Sequence, residues 1–164
     1  MEKSFFSPSD VWAKSTGETL ESHIEWCLKI FKLFLSSQNN TVKRISQKLS
    51  LDERELISRL FATIYLHDIG KVSPRFQEYI RNGGRATPHS LLSLPFTLAS
   101  LTLINGTSFE ALAILSHHTP FYEGLFDDFD GMHISKDNYI IPYVEDFYHR
   151  LPNKHEEILG YPLP

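Results

Sequence analysis

The chain has 164 residues, of which 41% are hydrophobic and 22% are charged, and this size and composition predict one globular domain. They exclude a disordered chain, a collagen-like chain and a coiled coil, and the net charge of −4 argues against holding duplex DNA by bulk charge alone. The single cysteine, Cys27, excludes an internal disulfide and a zinc site built from cysteines. Because the sequence has no apolar run of about 18 residues and no signal-peptide pattern, we expect a cytoplasmic protein without membrane association.

The spacing of the apolar residues predicts a mostly helical chain. The first helix is predicted over residues 18–36, and the polar residues at 36–40 are predicted to break it. Its buried face would consist of Leu20, Ile24, Leu28, Phe31 and Leu35. Ser50 followed by Glu53 is typical of a capping box, which predicts a second helix that ends near Gly70.

The second half of the chain also favours helices. In chain order they are predicted over residues 74–81, over residues 89–104 with a kink near Pro95, from Ser108 to about residue 117, and near residues 142–151. Residues 138–141 are the one weak candidate for a strand. The predicted fold class is therefore all-α, a compact helical bundle of a single domain.

The histidines carry the clearest chemical pattern in the sequence. Five of the eight lie at the ends of predicted helices or on helices with apolar faces: His23, His67, His89, His117 and His118. Asp68 directly follows the second of these, where the chain leaves a predicted helix. A buried imidazole needs a partner, and a metal ion is a strong one. We interpret the other three, His133, His149 and His155, as surface residues.

The order of these residues resembles a known family. His23, then His67-Asp68 with Gly70 and Lys71, then His89-Ser90 and finally His117-His118 is the order seen in HD-superfamily metal-dependent phosphohydrolases. Over roughly residues 11–120 the chain is similar to one branch, the HD nuclease domain of the type I CRISPR-associated helicase-nuclease. The segments that carry this likeness are Val11-Trp12-Ala13-Lys14-Ser15 with Gly17, Leu20 and His23, and His67-Asp68-Ile69-Gly70-Lys71-Val72-Ser73-Pro74-Arg75-Phe76-Gln77.

The resemblance implies a metal centre in the helical core, with Asp68 and Lys71 as catalytic residues. One metal would be held by His23, His67 and Asp68, and another by Asp68, His89, His117 and His118. The expected cofactors are one or two divalent ions, namely Mn, Co, Ni, Fe, Zn or Mg. The family also uses an Asp on a later helix, and no residue of this chain stands in that pattern. We therefore expect residues 1–164 to form one HD nuclease domain that ends before this helix.

These residue types suit the cleavage of phosphodiester bonds. The reaction needs a nucleophile at neutral pH and positive charge at the phosphate, and two metals about 3.5–4 Å apart supply both. A carboxylate can bridge two cations because it has two oxygens, which an imidazole lacks. Asp68 is therefore expected between the two metals.

The resemblance implies a nuclease that cleaves single-stranded DNA in CRISPR interference, a form of antiviral defence, together with a helicase and a CRISPR surveillance complex. A local excess of basic residues could attract the phosphates, although it could also be an ordinary solvated face; it comprises Lys71, Arg75, Arg81 and Arg85. Two alternatives stay open. One is an HD-type nucleotide phosphohydrolase, and the other is a catalytically silent metal-binding module that docks a partner.

Overall fold

The computed structural model describes residues 11–84, 88–101, 106, 108–118 and 139–163. This part of the chain forms seven α-helices and no strand, which confirms the all-α fold class. The helices are α1 (Leu20–Ser37), α2 (Asn39–Leu49), α3 (Glu53–Leu66), α4 (Pro74–Asn82), α5 (His89–Leu101), α6 (Ser108–Ser116) and α7 (Ile141–Leu159). A 3-10 turn, Ile69–Val72, joins α3 to α4.

Helix α1 follows the predicted apolar pattern. Its N-cap is Thr19, whose hydroxyl accepts a hydrogen bond from the Ser22 N–H at 3.2 Å. The buried residues are Leu20, Ile24, Leu28 and Phe31, while Leu35 packs at the edge of the core. One face of α1 is thus covered by the bundle, which places His23 on the side that faces the interior.

The predicted break after α1 is shorter than expected. Only Gln38 separates α1 from α2, a helix that the apolar spacing does not indicate. Ser50 ends α2 in the left-handed conformation, with φ of 54°, so the predicted capping box is wrong. The N-cap of α3 is Asp52, because its carboxylate accepts hydrogen bonds from the N–H groups of Arg54 and Glu55.

Helix α3 lies at the centre of the bundle and contacts α1, α2, α5, α6 and α7. On one side the Tyr65 ring stacks on Phe147 of α7, and its hydroxyl donates to the Phe147 carbonyl at 2.8 Å. On another side Arg59, which is buried, pairs with Glu110 of α6 at 2.6 Å. The end of α3 is therefore held from several directions, and this end carries His67 and Asp68.

The last helix is longer than predicted and begins at Ile141, the last residue of the candidate strand. Helix α7 runs through Pro152, and its buried face continues from Leu151, before the proline, to His155 after it. The N–H of Ile140 donates to the Val72 carbonyl at 3.3 Å, so the start of α7 docks on the 3-10 turn. The strand prediction is wrong for Tyr139 and the residues after it. None of the described helices is long and apolar enough to cross a bilayer.

Candidate metal centre

Asp68 lies in the middle of a group of imidazoles, and its side chain is 1% exposed. The Oδ2 atom lies 3.2 Å from His23 Nε2 and 3.3 Å from His67 Nε2. The Oδ1 atom lies 3.2 Å from His89 Nε2 and 3.3 Å from His117 Nε2. Each oxygen thus faces its own pair of ring nitrogens, and we call this arrangement the Asp68 centre.

Two of the imidazoles are oriented by carbonyl groups of their own helices. His67 Nδ1 lies 2.7 Å from the Ile64 carbonyl oxygen, and His117 Nδ1 lies 2.5 Å from the Ile114 carbonyl oxygen. A carbonyl can only accept, so each Nδ1 carries the hydrogen. In the neutral ring Nε2 then presents a lone pair to Asp68, and two acceptors face each other. A cation between them removes this conflict.

His23 is oriented by a carboxylate instead. Its Nδ1 lies 3.1 Å from Glu18 Oε1, and Glu18 also pairs with Lys14 at 2.7 Å. The Asp68 carboxylate, followed by Cys27, raises the pKa of His23 to about 10. His23 is therefore protonated at neutral pH when no metal is bound, and a metal at this position has to displace that proton.

Gly70 lets the 3-10 turn approach the start of α5. A Cβ at this position would overlap the His89 carbonyl oxygen and come within 2.7 Å of the Ser93 nitrogen. The Ser93 hydroxyl accepts from the Gly70 N–H at 2.8 Å and lies 2.8 Å and 3.0 Å from the carbonyl oxygens of His67 and His89. Backbone contact between the two elements thus sets the distance between their histidines.

His118 is exposed and marks the open side of the Asp68 centre. One of its ring nitrogens belongs to a group of possible ligand atoms that lie within 4.8 Å of one another, together with atoms of Asp68, His89 and His117. Partial desolvation of the ring and the neighbouring His117 lower the pKa of His118 to about 4, and burial lowers the pKa of His89. Both rings are therefore neutral near pH 7, as metal binding requires.

The residues present fit a bound cation. Asp68 Oδ1 and the Nε2 atoms of His89 and His117 are buried, with no hydrogen-bond partner among the described residues, and Asp68 Oδ2 is buried beside Lys71 Nζ at 2.7 Å. Burial opposes ionisation of Asp68, but the surrounding histidines hold its pKa well below its usual range. Ligand atoms 2.0–2.1 Å from one ion lie about 3.0 to 3.4 Å apart. The four N–O distances around Asp68 fall in this range.

Comparison with known proteins identifies the family of the chain. The family model described as "Cas3, HD domain" matches residues 12–123 of the chain. The chain belongs to the Cas3 HD domain family. It is 33% identical over 90 residues to a CRISPR-associated nuclease/helicase Cas3 of Methanocaldococcus jannaschii, and the match covers 50% of this chain and 11% of that protein. No solved structure matches the chain.

Membership in the Cas3 HD family gives the Asp68 centre a chemical context. HD domains of this CRISPR-associated nuclease family bind divalent metals, and the described residues contain a histidine and aspartate cluster that could hold one. All five predicted histidines and Asp68 lie together in the structure. Their roles as metal ligands are a prediction.

Among the described residues of the predicted basic set, Lys71 does not share an exposed surface with Arg75. Lys71 is buried, and its Nζ lies 2.7 Å from Asp68 Oδ2, so it faces the centre rather than solvent. Arg75 is exposed at the start of α4, and the Arg81 guanidinium lies 4.8 Å from the centre of the Trp12 ring. Arg85 lies outside the described residues. The structure thus places Lys71 at the Asp68 centre, apart from the two arginines.

The sequence interpretation of this HD domain missed several residues around the centre. Glu18 orients the His23 ring and Ser93 bonds to the backbone carbonyl of His67, and neither residue stands out by composition or periodicity. Cys27 lies one helical turn after His23, a spacing of four residues that could have indicated a shared face. His155 was interpreted as a surface residue, but it is fully buried and bonded to Ser58, so that interpretation is wrong.

Proposed function

We propose that this domain is a metal-dependent nuclease that cleaves phosphodiester bonds of single-stranded DNA. The observation that carries the proposal is the position of Asp68, whose two oxygens each face a separate pair of imidazole nitrogens. A carboxylate arranged in this way can bridge two divalent cations, which is the arrangement that phosphodiester hydrolysis uses.

The ligands divide into two sets that share Asp68. We assign His23 and His67 to the Oδ2 side, and the Oδ1 side to His89, His117 and His118. Bound cations would supply a nucleophile at neutral pH and positive charge for the phosphate. Imidazole-rich sets favour Mn, Fe, Co, Ni or Zn over Mg.

Lys71 is the side chain of the centre that could assist the reaction without binding a metal. Lys71 holds Asp68 Oδ2 at 2.7 Å, and its Nζ also lies 5.8 Å from the centre of the Phe76 ring. We assign Lys71 to fixing the carboxylate and adding positive charge beside the phosphate.

An apolar cavity of about 650 Å³ lies between α1, α2, α3 and α6. Because its walls suit no phosphate, we expect the strand to reach the centre from the exposed His118 side.

The proposal includes a helicase as a partner. The relative from Methanocaldococcus jannaschii is named a nuclease/helicase, and this chain covers 11% of it. A domain with a net charge of −4 has little excess positive charge with which to bind DNA. A helicase that delivers the strand would therefore complement it. We propose that the domain and the helicase act in the cytoplasm, in CRISPR interference, a form of antiviral defence. A CRISPR surveillance complex would open the target for them.

The direct test is cleavage of circular single-stranded DNA by purified protein loaded in turn with Mn, Co, Ni, Fe, Zn or Mg. We expect nicking with at least one transition metal and its loss in Asp68→Asn, which removes the bridging charge. Asp146→Asn is the matched control, because Asp146 is exposed on α7 and pairs only with Arg150 among the described residues. Both variants need the same circular dichroism spectrum as the wild type.

Two results would overturn the proposal in different ways. Turnover of small nucleotides without any DNA product would identify a nucleotide phosphohydrolase instead. Stoichiometric metal in the folded protein with no turnover of DNA or nucleotides would identify a silent docking module. Elemental analysis of the same samples separates an empty centre from an inactive one.

A further inference from the structure

Cys27 belongs to the Oδ2 side of the Asp68 centre. Its Sγ lies 3.8 Å from His23 Nε2, and the Cys27, His23 and His67 ligand atoms all lie within 4.8 Å of one another. The thiol is partly buried and borders the apolar cavity together with His67. It is therefore placed where the imidazoles converge rather than on an unrelated face of α1.

We propose that the Cys27 thiolate is the fourth protein ligand of the cation on the Oδ2 side. With His23, His67 and Asp68 it forms a set of one sulfur, two nitrogens and one oxygen. This inference rests on the proposed metal centre and adds to it the chemical character of one of its two positions.

The distances support a shared ion. A sulfur about 2.3 Å and a nitrogen about 2.0–2.1 Å from one tetrahedral ion lie about 3.6 Å apart. Cys27 Sγ and His23 Nε2 lie 3.8 Å apart. Independently, Asp68 Oδ2 is buried and lies 3.2 Å from His23 Nε2 and 3.3 Å from His67 Nε2, so it faces the same two imidazoles. Lys71 also approaches this oxygen, and a carboxylate oxygen has lone pairs for both an ammonium group and a metal.

A thiolate makes the two positions of the centre chemically unequal. Sulfur ligands favour Zn, Co and Fe, whereas Mg and Mn prefer oxygen. The Oδ2 side would therefore retain a soft transition metal. The Oδ1 side, formed by imidazoles and a carboxylate oxygen, would bind its cation without sulfur and exchange it more readily.

The test uses Co²⁺ as the probe, because a cobalt–thiolate bond gives a near-ultraviolet charge-transfer band that imidazole and carboxylate ligands do not give. We expect this band in the wild-type protein and its absence in Cys27→Ser. We also expect a loss of cobalt affinity on this side of at least about 10-fold. Thr63→Val is the matched control, since Thr63 lines the same cavity without offering a ligand to the centre.

Two further measurements need no variant. X-ray absorption of the zinc-loaded wild type is expected to show one sulfur at about 2.3 Å. Since the chain has one cysteine, alkylation by iodoacetamide reports on Cys27 alone, and bound metal is expected to protect it. Metal that binds without a sulfur scatterer, a charge-transfer band or protection overturns this inference and leaves the proposed function standing. A folded wild type that binds no metal overturns both.

Discussion

The side-chain amide of Gln77 pairs with the backbone of Trp12, which lies 65 residues earlier in the chain. Gln77 Oε1 accepts from the Trp12 N–H at 2.9 Å, and Gln77 Nε2 donates to the carbonyl oxygens of Trp12 and Lys71 at 2.9 Å and 2.8 Å. One buried amide therefore attaches the segment before α1 to the 3-10 turn that carries Lys71. Because Trp12 takes part through its backbone, the contact gives a structural role to the side chain of Gln77 and not to the Trp12 ring.

Gln77→Leu is expected to lower the free energy of unfolding by about 2 to 3 kcal/mol, because it leaves buried backbone groups unpaired. Since the segment at Trp12 leads to Glu18 and His23, metal affinity is expected to fall as well. Thermal unfolding with and without metal measures both effects. Gln47→Leu, on the exposed side of α2, is the control, and equal losses in the two variants would contradict this account.

Gly70→Ala is expected to separate the 3-10 turn from α5 and to destabilise the fold by about 1 to 3 kcal/mol, since the new Cβ overlaps backbone atoms. Gly83→Ala is a useful comparison, because Gly83 has φ of 78° and open space around it, so its cost is backbone strain alone. Both changes should lower stability, but only Gly70→Ala should weaken metal binding. Calorimetric titration with Zn²⁺ distinguishes them, and unchanged affinity in Gly70→Ala would disprove the link.

Lys71→Met tests whether the buried ammonium contributes to cleavage rather than to metal retention. Lys71 contacts Asp68 Oδ2 but lies outside the predicted ligand set. We expect metal content to stay near that of the wild type while the rate of DNA cleavage falls by about 100-fold or more. Lys48→Met, on the exposed end of α2, is the control. Loss of metal in Lys71→Met would show that the lysine mainly supports the ligands.

His155 is expected to make stability depend on pH. Its Nδ1–H donates to the Tyr161 carbonyl at 3.0 Å, and Nε2 lies 2.9 Å from the Ser58 hydroxyl, which can donate to the neutral ring. Burial lowers the pKa of His155 from its ordinary value of 6.5. Below about pH 6.5 the unfolded chain therefore takes up a proton that the folded chain resists, and stability falls as the pH falls.

His155→Gln removes this contribution and tests it. We expect a loss of about 1 to 3 kcal/mol at pH 7.5, from the buried hydrogen bonds, and a weaker decline of stability toward pH 5. Urea unfolding across this pH range measures both quantities. His149→Gln is the control, because His149 is exposed on the same helix. A variant with the same pH slope as the wild type would assign the dependence to other histidines.

Local sequence patterns are sufficient to predict several helices of this molecule. The buried face of α1 and the start of α4, where the Ser73 hydroxyl accepts from Phe76 N–H ahead of Pro74, follow from spacing and capping rules. The convergence of the five histidines on Asp68 was expected only through resemblance to a family, since spacing alone does not bring distant helices together. Helix α2 was missed because its polar surface is broad and few of its residues are buried.

Other features depend on contacts between distant segments. Whether His155 is buried depends on Ser58, 97 residues away, and no local pattern reports such a contact. The same holds for the hydroxyl of Ser93, whose partners belong to the end of α3 and the turn after it. Hydrophobic periodicity identifies the helix faces that pack together. Which polar atoms form hydrogen bonds to the ligand residues depends on how the helices pack.

The close approach at Gly70 also means that the position of His89 need not depend on the length of the loop before α5. The 3-10 turn holds the start of α5 through Ser93, so His89 does not depend on the connection between Gly83 and Pro88 for its position. Inserted residues in that connection should therefore be tolerated, as loop-closure entropy grows slowly with length. This makes it a natural place to attach a reporter domain, or to divide the chain into two fragments that reassemble.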